Sequence, residues 1–241
     1  MKNTNILPAR TYDLIFSLGA ACPCTDLLRS LRLQDWSYPF DWVFGSDFAG
    51  RVDILVDEFD RWFERGDFKL LEQTSVSHHS VWINTKTQII YNHDFRENTS
   101  DIDASYDAVR EKYDRRTKRL MAHAARAQRM AIVYLDRPDA KNPTAAPDDI
   151  IRGYNKIRAK YDGKRALDLY YVHHDGAADG ATIRRLADGV YYITLDYHAA
   201  GQEDWAVDLG KLRPMFGGLR LHRPVFKRIR RMFCKLRGRV K

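Results

Sequence analysis

Apolar and polar residues near the start of the chain predict a strand, a turn and an amphipathic helix in succession. The run Leu-Ile-Phe at 14–16 is typical of a buried strand, and Gly19 then provides a turn. Leucines at helical spacing over 27–33 predict a helix that begins at Cys22. The unpaired amides and the dipole of a helix start favour a thiolate or a bound anion at that position. A small buried residue of the core is the equally compatible interpretation of Cys22.

Helical and extended patterns alternate through the middle of the chain. An apolar stripe over 48–65 predicts a second helix, which Gly66 ends. Residues that favour strands over 68–95 predict an extended region with a hairpin turn at 84–87. The charged stretch 103–128 carries apolar residues at helical spacing and predicts a surface helix.

From residue 130 onward, continuous apolar strands alternate with helices. The predicted strands cover 130–135, 166–172 and 190–195, and the predicted helices lie near 148–160 and 179–187. Such strands are typical of a parallel sheet that is covered on both faces. We therefore predict an α/β fold with three layers and a mostly parallel sheet, similar to flavodoxin-like or SGNH-hydrolase-like folds.

Polar residues follow these strands at the positions where ligands usually bind. In a parallel sheet the carboxyl ends of the strands meet at one edge, and ligands bind in front of that edge. The expected substrate is a small molecule, a glycan or a peptide. We predict that it is bound by Ser17, Gly19, Asp136, Arg137, His173, His174, Asp196 and His198.

The net charge of +8 belongs to one end of the chain. Residues 220–241 contain ten basic residues and no acidic one, so the rest of the chain carries 30 basic and 32 acidic residues. We predict a single α/β catalytic-type domain over 1–218 and a basic amphipathic helix within 219–241. The nearly neutral domain and the lack of a nucleic-acid-binding motif argue against a nucleic-acid partner.

The segment that follows Pro224 has the composition of a helix that lies in an anionic membrane surface. Its apolar face carries two phenylalanines, and its other face is basic. An apolar face that packs on the domain is the alternative. The predicted membrane contacts are Phe226, Lys227, Arg228, Arg230, Arg231 and Phe233.

The remaining composition bears on the compartment and on cofactors. No stretch approaches the about 20 apolar residues of a membrane span, and the N-terminus lacks the apolar core of a signal peptide. Three cysteines do not make a disulfide framework, and Cys22-Pro23-Cys24 is a weak zinc signal without a second cluster. We expect a cytoplasmic protein at the inner face of the membrane, with neither a metal nor a cofactor.

Three motifs, SLGAAC (17–22), WSYPFDW (36–42) and YNHDF (91–95), together resemble a bacterial family of papain-like cysteine peptidases, a domain of unknown function. The resemblance implies that Cys22 is the nucleophile and His93 its base. It implies Asp94 or Asp41 as the acid that orients the base. It also suggests a role in cell-envelope or surface-polysaccharide metabolism.

The predicted fold leaves other assignments open. Papain-like folds place the cysteine on a long helix against an antiparallel sheet, whereas a strand directly precedes Cys22 here. The base could therefore be His173, His174 or His198, from a late strand end. A binding or glycosyl-transfer site for a phosphorylated donor, with Gly19 and Arg137 at the phosphate, is a second hypothesis. A non-enzymatic membrane-bound adaptor is a third.

Overall fold

The computed structural model describes residues 7–72, 79–96, 99–136, 144–161, 166–198 and 207–223. These residues form a mixed α/β structure. Its strands are β1 (Arg10–Tyr12), β2 (Leu14–Gly19), β3 (Val43–Gly45), β4 (Phe68–Glu72), β5 (Val81–Asn84), β6 (Ile89–Tyr91), β7 (Arg129–Leu135), β8 (Ala166–His174), β9 (Thr182–Ala187), β10 (Val190–Leu195) and β11 (Leu219–Leu221). Its helices are α1 (Cys22–Ser30), α2 (Phe48–Val56), α3 (Tyr106–Arg126), α4 (Pro147–Lys160) and α5 (Leu209–Phe216).

The largest sheet has the strand order β2-β7-β8-β10-β9. The first four strands are parallel, and β9 is antiparallel to β10. Alternate side chains of β7 face two different hydrophobic clusters: Ile132 contributes to one and Val133 to the other. Helices α2, α3 and α4 bury residues in the first cluster, and α1 and α5 bury residues in the second. The prediction of a mostly parallel sheet is confirmed, and helices cover both of its faces.

A second sheet lies in the chain between α1 and α3. It is antiparallel, with the order β3-β6-β5-β4. The predicted turn joins β5 to β6, because the side-chain Oδ1 of Asn84 accepts hydrogen bonds from the amides of Lys86 and Thr87. The molecule thus contains a parallel sheet and an antiparallel sheet.

Two helix predictions are corrected by the structure. The helix predicted over 48–65 ends at Val56, because the next residues include Glu58, Phe59 and Arg61 with positive φ angles of 56°, 64° and 48°. The helix predicted near 179–187 is instead the edge strand β9, which pairs with β10 across a turn at Gly189 with φ 78°. Helix α5 was not predicted at all.

A short third sheet joins the two ends of the described chain. Strand β1 pairs in parallel with β11, with Arg10 opposite Leu219. The chain then continues along the body, because Arg223 forms an ion pair of 2.9 Å with Asp35. The predicted domain boundary after residue 218 therefore falls directly before a strand of the body.

The six predicted membrane contacts of the C-terminal segment lie outside the described residues, as does the helix that we predict there. Within the part of the chain that the structure describes, no helix is both long enough and apolar enough to span a membrane.

Candidate functional site

The backbone between β2 and α1 forms a sharp turn at the carboxyl edge of the parallel sheet. Gly19 pairs with Tyr134 of β7, and the amide of Ala20 donates to the carbonyl of Leu135 at 2.8 Å. Ala21 then has φ 70° and ψ 179°, a conformation that only glycine adopts readily. Ala21 is also the N-cap of α1 and its side chain forms no capping bond, so Cys22 is the first residue of the helix and Pro23 the second.

The two cysteines of this turn have different environments. Cys24 is fully buried, its Sγ lies 3.5 Å from the carbonyl oxygen of Val133, and burial raises the pKa of its thiol to about 12. Cys22 is only half-buried, and neither cysteine forms a disulfide. Cys24 is therefore the small core residue that free cysteines often become, whereas Cys22 is accessible.

The guanidinium of Arg51 lies behind this turn. Arg51 is fully buried on α2, and its Nη1 donates to the carbonyl of Leu18 at 3.0 Å. A Cβ atom added to Gly19 would lie 2.4 Å from the same Nη1. Gly19 thus serves the close approach of an arginine side chain as well as the turn itself. Arg51 is not among the residues predicted for the site. The one indication of its burial in the sequence is its position within the apolar stripe of α2.

Asp41 connects the loop that carries the WSYPFDW motif (36–42) to α1. Its side chain is fully buried, and its Oδ2 accepts hydrogen bonds from Gln34 Nε2 at 2.7 Å and from the amide of Tyr38 at 2.8 Å. The Oγ1 of Thr25, one turn after Cys22, donates to the Asp41 carbonyl at 2.9 Å. Burial raises the pKa of Asp41 to about 6, against the effect of these hydrogen bonds.

His93 follows the antiparallel sheet. Tyr91 of β6 pairs with Val43 of β3, two residues after Asp41, and His93 comes two residues after Tyr91. Its ring is exposed and lies 6.3 Å from the ring of Phe44, measured between centroids. Desolvation lowers the pKa of His93, and the charge of the adjacent Asp94 raises it.

The Asp94 carboxylate faces α3. It forms an ion pair with Lys112, and its Oδ2 accepts a hydrogen bond of 2.8 Å from the hydroxyl of Tyr113. These two bonds fix Asp94 in place. Asp94 therefore acts on His93 through its charge and through the backbone that the two residues share.

A second group of polar residues lies at the ends of β7 and β8. The Oδ2 of buried Asp136 accepts from Thr144 Oγ1 at 2.8 Å and lies 3.1 Å from His173 Nδ1. The Thr144 hydroxyl is also 3.3 Å from His173 Nδ1. A carboxylate that accepts from Nδ1–H leaves Nε2 unprotonated, which is the arrangement of an oriented histidine base. Thr144 was not predicted from the sequence.

A third group of polar residues lies at the same edge of the sheet, at the ends of β8 and β10. The ring centroids of His174 and His198 are 4.6 Å apart, and His174 Nδ1 lies 3.7 Å from Asp196 Oδ1. Lys211 of α5 donates to Asp196 at 3.0 Å and holds the pKa of that carboxyl below its usual range. Burial lowers the pKa of His174. No group of three or more His, Cys, Asp or Glu side chains in the described ranges has the arrangement of a metal site.

A family model described as "Putative papain-like cysteine peptidase" matches residues 13–175, more than half of the chain. The chain belongs to this family. It is also similar to the uncharacterized protein R408 of Acanthamoeba polyphaga mimivirus, with 31% identity over 123 residues that cover 44% of this chain and 54% of the viral protein. The chain thus spans about half the length of that relative. No solved structure matches the chain.

Most of the predicted site residues lie along the carboxyl edge of the parallel sheet. The structure brings Asp136 to His173, and Asp196 to His174 and His198. Ser17 is fully buried in β2, beneath the turn. His93 and Asp94 follow the antiparallel sheet instead. Arg137 lies outside the described residues.

Proposed function

We propose that this protein is a thiol-dependent hydrolase or acyl transferase in which Cys22 is the nucleophile. The observation that most directly supports the proposal is the backbone conformation of Ala21, immediately before Cys22, with φ 70° and ψ 179°. Conformations of this kind cost free energy and concentrate at functional sites. Here the strained turn presents a half-buried thiol at the end of a parallel strand and the start of a helix.

The proposed chemistry is acyl transfer through a thioester. The Cys22 thiolate attacks the carbonyl carbon of the donor, a C–S bond forms, and the carbonyl oxygen takes the negative charge beside the first-turn amides of α1. When the oxygen reforms its double bond, the leaving group departs with the proton that the base removed from the thiol. Water or another nucleophile then attacks the thioester and regenerates Cys22.

His93 is the base in this proposal, following the family assignment. Desolvation lowers the pKa of His93, so its imidazole is neutral and able to accept a proton near pH 7. Asp94 provides the negative charge that stabilises the imidazolium once it forms. Asp41 is the alternative orienting acid, and it reaches α1 through its carbonyl contact with Thr25.

His173 is the alternative base, because its Nδ1 lies 3.1 Å from the buried carboxylate of Asp136. The turn before Cys22 reaches this region, since Ala20 hydrogen-bonds to Leu135, the residue before Asp136. In the proposal with His93 as base, Asp136 and His173 bind the substrate. The two assignments predict different effects of the two histidine substitutions.

The proposed setting is cell-envelope or surface-polysaccharide metabolism, with the protein held at the inner face of the membrane by its C-terminal segment. The support for the membrane is the sequence of residues 224–241, which combines eight basic residues with none that is acidic. The acyl donor in this setting is a modified glycan or a peptide. Peptide-bond cleavage in particular rests on the family description.

The proposal is tested by acylation of the full chain with p-nitrophenyl acetate. We expect a burst of p-nitrophenolate and one acetyl group on Cys22, located by mass spectrometry. Cys22→Ser should abolish the burst, and His93→Ala should slow it by a factor of about 10² to 10⁴, the usual contribution of a general base. Cys24→Ala is the matched control and should keep the burst.

Circular dichroism of each variant separates loss of activity from loss of fold. A folded Cys22→Ser variant with the full burst contradicts the proposal. If His173→Ala slows the burst and His93→Ala does not, Cys22 remains the nucleophile and His173 replaces His93 as the base.

A further inference from the structure

We propose that Arg51 is a positioning residue for Cys22: its buried guanidinium fixes the turn before the thiol and supplies the positive charge that favours the thiolate. The inference rests on the proposed role of Cys22 and adds a residue outside the three sequence motifs. Arg51 lies on α2, and its side chain reaches the end of β2 three residues before Cys22.

All the hydrogen bonds that the structure describes for the guanidinium go to carbonyl oxygens, and these come from two separate segments, the end of β2 and residues 43–46. Nη1 donates to Leu18 at the end of β2, at 3.0 Å. Nη2 donates to Val43 at 3.1 Å and to Gly45 at 2.7 Å, both in β3. Nε donates to Gly45 at 3.1 Å and to Ser46 at 3.2 Å, just before α2. One planar side chain therefore holds the strand that leads to Cys22 against the antiparallel sheet that leads to His93.

Gly19 shows how tightly the arginine and the turn fit. The φ of Gly19 is 136°, and an added Cβ would lie 2.4 Å from Nη1 and 2.7 Å from Cζ of Arg51. The backbone of the turn therefore lies directly on the charged group. Any movement of the guanidinium changes the position of the strand end, and with it the direction in which Cys22 leaves the turn.

The charge of Arg51 has no carboxylate partner within the described ranges. Arginine stays protonated in proteins, so burial leaves a full positive charge behind the turn. Three titratable groups face it from other elements, namely Cys24 of α1, Tyr91 of β6 and Tyr134 of β7. All three are neutral near pH 7, because burial raises the pKa of each one.

Two carboxylates act near this charge from different sides. Asp47 is exposed at the N-cap of α2, where it accepts from the amide of Gly50, so solvent screens it. Asp41 is buried beside α1, and its negative charge opposes ionisation of the neighbouring Cys24. The exposed Arg29 stacks on Trp42 on the outer face of α1. Arg51 is therefore the buried cation that favours an anion at the start of α1.

The test measures the pH dependence of Cys22 alkylation by iodoacetamide, with Cys24 of the same molecule as the unreactive reference. In the full chain we expect Arg51→Met to raise the midpoint for Cys22 by about one pH unit, the usual size of the effect of a nearby opposite charge on a pKa. Arg51→Lys keeps the charge, so its midpoint should stay close to that of the native chain. Arg29→Met is the matched control, and it should leave the midpoint within a few tenths of a unit because Arg29 is exposed.

A purely structural role for Arg51 would give Arg51→Lys and Arg51→Met the same midpoint, and a folded Arg51→Met variant with the native midpoint would overturn the inference. If Arg51→Met does not fold, the native chain still provides a test. A buried charge is hardly screened, so the midpoint should not change between about 0.05 M and about 1 M NaCl. A midpoint that rises with salt would assign the lowered pKa of Cys22 to surface charges and would contradict the inference. The role of Cys22 as the nucleophile is tested separately, by the burst with p-nitrophenyl acetate.

Discussion

Asp41 is a carboxylate that folds into an apolar interior. Phe40 and the first turn of α1 enclose it, and its side chain has no exposure to solvent. Oδ2 accepts two hydrogen bonds, from Gln34 and Tyr38, whereas Oδ1 has no hydrogen-bond partner in the described part of the chain. Desolvation is the largest influence on this group and raises its pKa to about 6. The protein therefore keeps Asp41 at a cost in stability near neutral pH.

Asp41→Asn should remove a pH dependence of folding. The pKa of an aspartate in the unfolded chain is about 3.9, and burial raises the pKa of Asp41 in the folded protein to about 6. The protonated form is therefore favoured by folding, and its stabilising contribution is complete below about pH 4 and lost as the pH rises through about 6. At about 1.4 kcal/mol per unit, the wild type should lose about 3 kcal/mol over this interval because of Asp41.

Urea unfolding at a series of pH values between 4 and 7 measures this prediction. The Asp41→Asn variant should show a smaller decrease in the free energy of unfolding than the wild type. Asp60→Asn is the control, because Asp60 is exposed. Its free energy of unfolding should show the same pH dependence as that of the wild type. An Asp41→Asn variant with the full pH dependence would show that Asp41 is ionised in the fold at low pH.

At the level of elements, α2 packs closely against α4 at the position of Phe48. The Phe48 ring forms edge contacts with Tyr134 and Tyr171, at 5.2 and 5.5 Å between centroids. On the α4 side, a Cβ added to Gly153 would lie 2.6 Å from Phe48 Cε1. Phe48 cannot move away, because the two tyrosines stack on each other behind it at 5.1 Å.

Gly153→Ala should therefore destabilise the protein although alanine is the better helix former. The gain in helix propensity is about 1 kcal/mol, and overpacking of a rigid core costs about 1 to 3 kcal/mol. We expect a net loss of about 1 kcal/mol and a lower thermal midpoint. Gly66→Ala is the control, because an added Cβ there meets no atom within 4 Å. A midpoint of Gly153→Ala above that of the wild type would show that α2 and α4 separate without cost, because the gain in helix propensity would then be unopposed.

Local patterns predicted those elements whose local preference agrees with their tertiary environment. The turn at 84–87 and the parallel strands β7, β8 and β10 are examples, since turn residues or a continuous apolar run define each of them. Strand β9 was missed because its sequence, TIRRLA, consists largely of helix-forming residues. The dipeptide Asp188-Gly189 that follows was the available hairpin signal.

The contacts that define the site depend on pairings that the sequence does not encode locally. The Asp136–His173 pair required the strand ends to be placed first, whereas the role of Arg51 is visible only from the carbonyl groups of two separate segments, Leu18 and residues 43–46. An arginine among the apolar positions of a helix is usually an exposed side chain. The full burial of Arg51 results from tertiary packing.

At the scale of the whole molecule, charge is separated along the chain. Residues 224–241 contain eight basic residues and no acidic one, so residues 1–223 are formally neutral. Each basic residue close to an anionic lipid surface contributes about 1 kcal/mol. A formally neutral body gives little competing attraction or repulsion, and the segment after Arg223 would therefore determine any binding to such a surface.

Deletion of residues 224–241 should abolish binding to anionic vesicles. We expect the full chain to co-sediment with phosphatidylcholine vesicles that contain phosphatidylserine, and not with phosphatidylcholine alone. Binding should weaken at high salt, because screening reduces the attraction of exposed charges. Equal sedimentation of the truncated and full chains would assign binding to the body, and salt-sensitive binding to duplex DNA without binding to vesicles would favour nucleic acid instead.

The pairing of β1 with β11 determines which end of the parallel sheet lies near the start of the C-terminal segment. The last described residues lie beside the start of β2, since the amide of His222 donates to the carbonyl of Tyr12 at 2.7 Å. Cys22 lies at the other end of β2, and a strand of this length spans about 20 Å. A surface that held the chain directly after Arg223 would therefore lie near the start of β2, and the thiol would lie at the opposite end of that strand. An acyl donor that projects from the surface or arrives from solution fits this orientation, because it reaches the far end of β2.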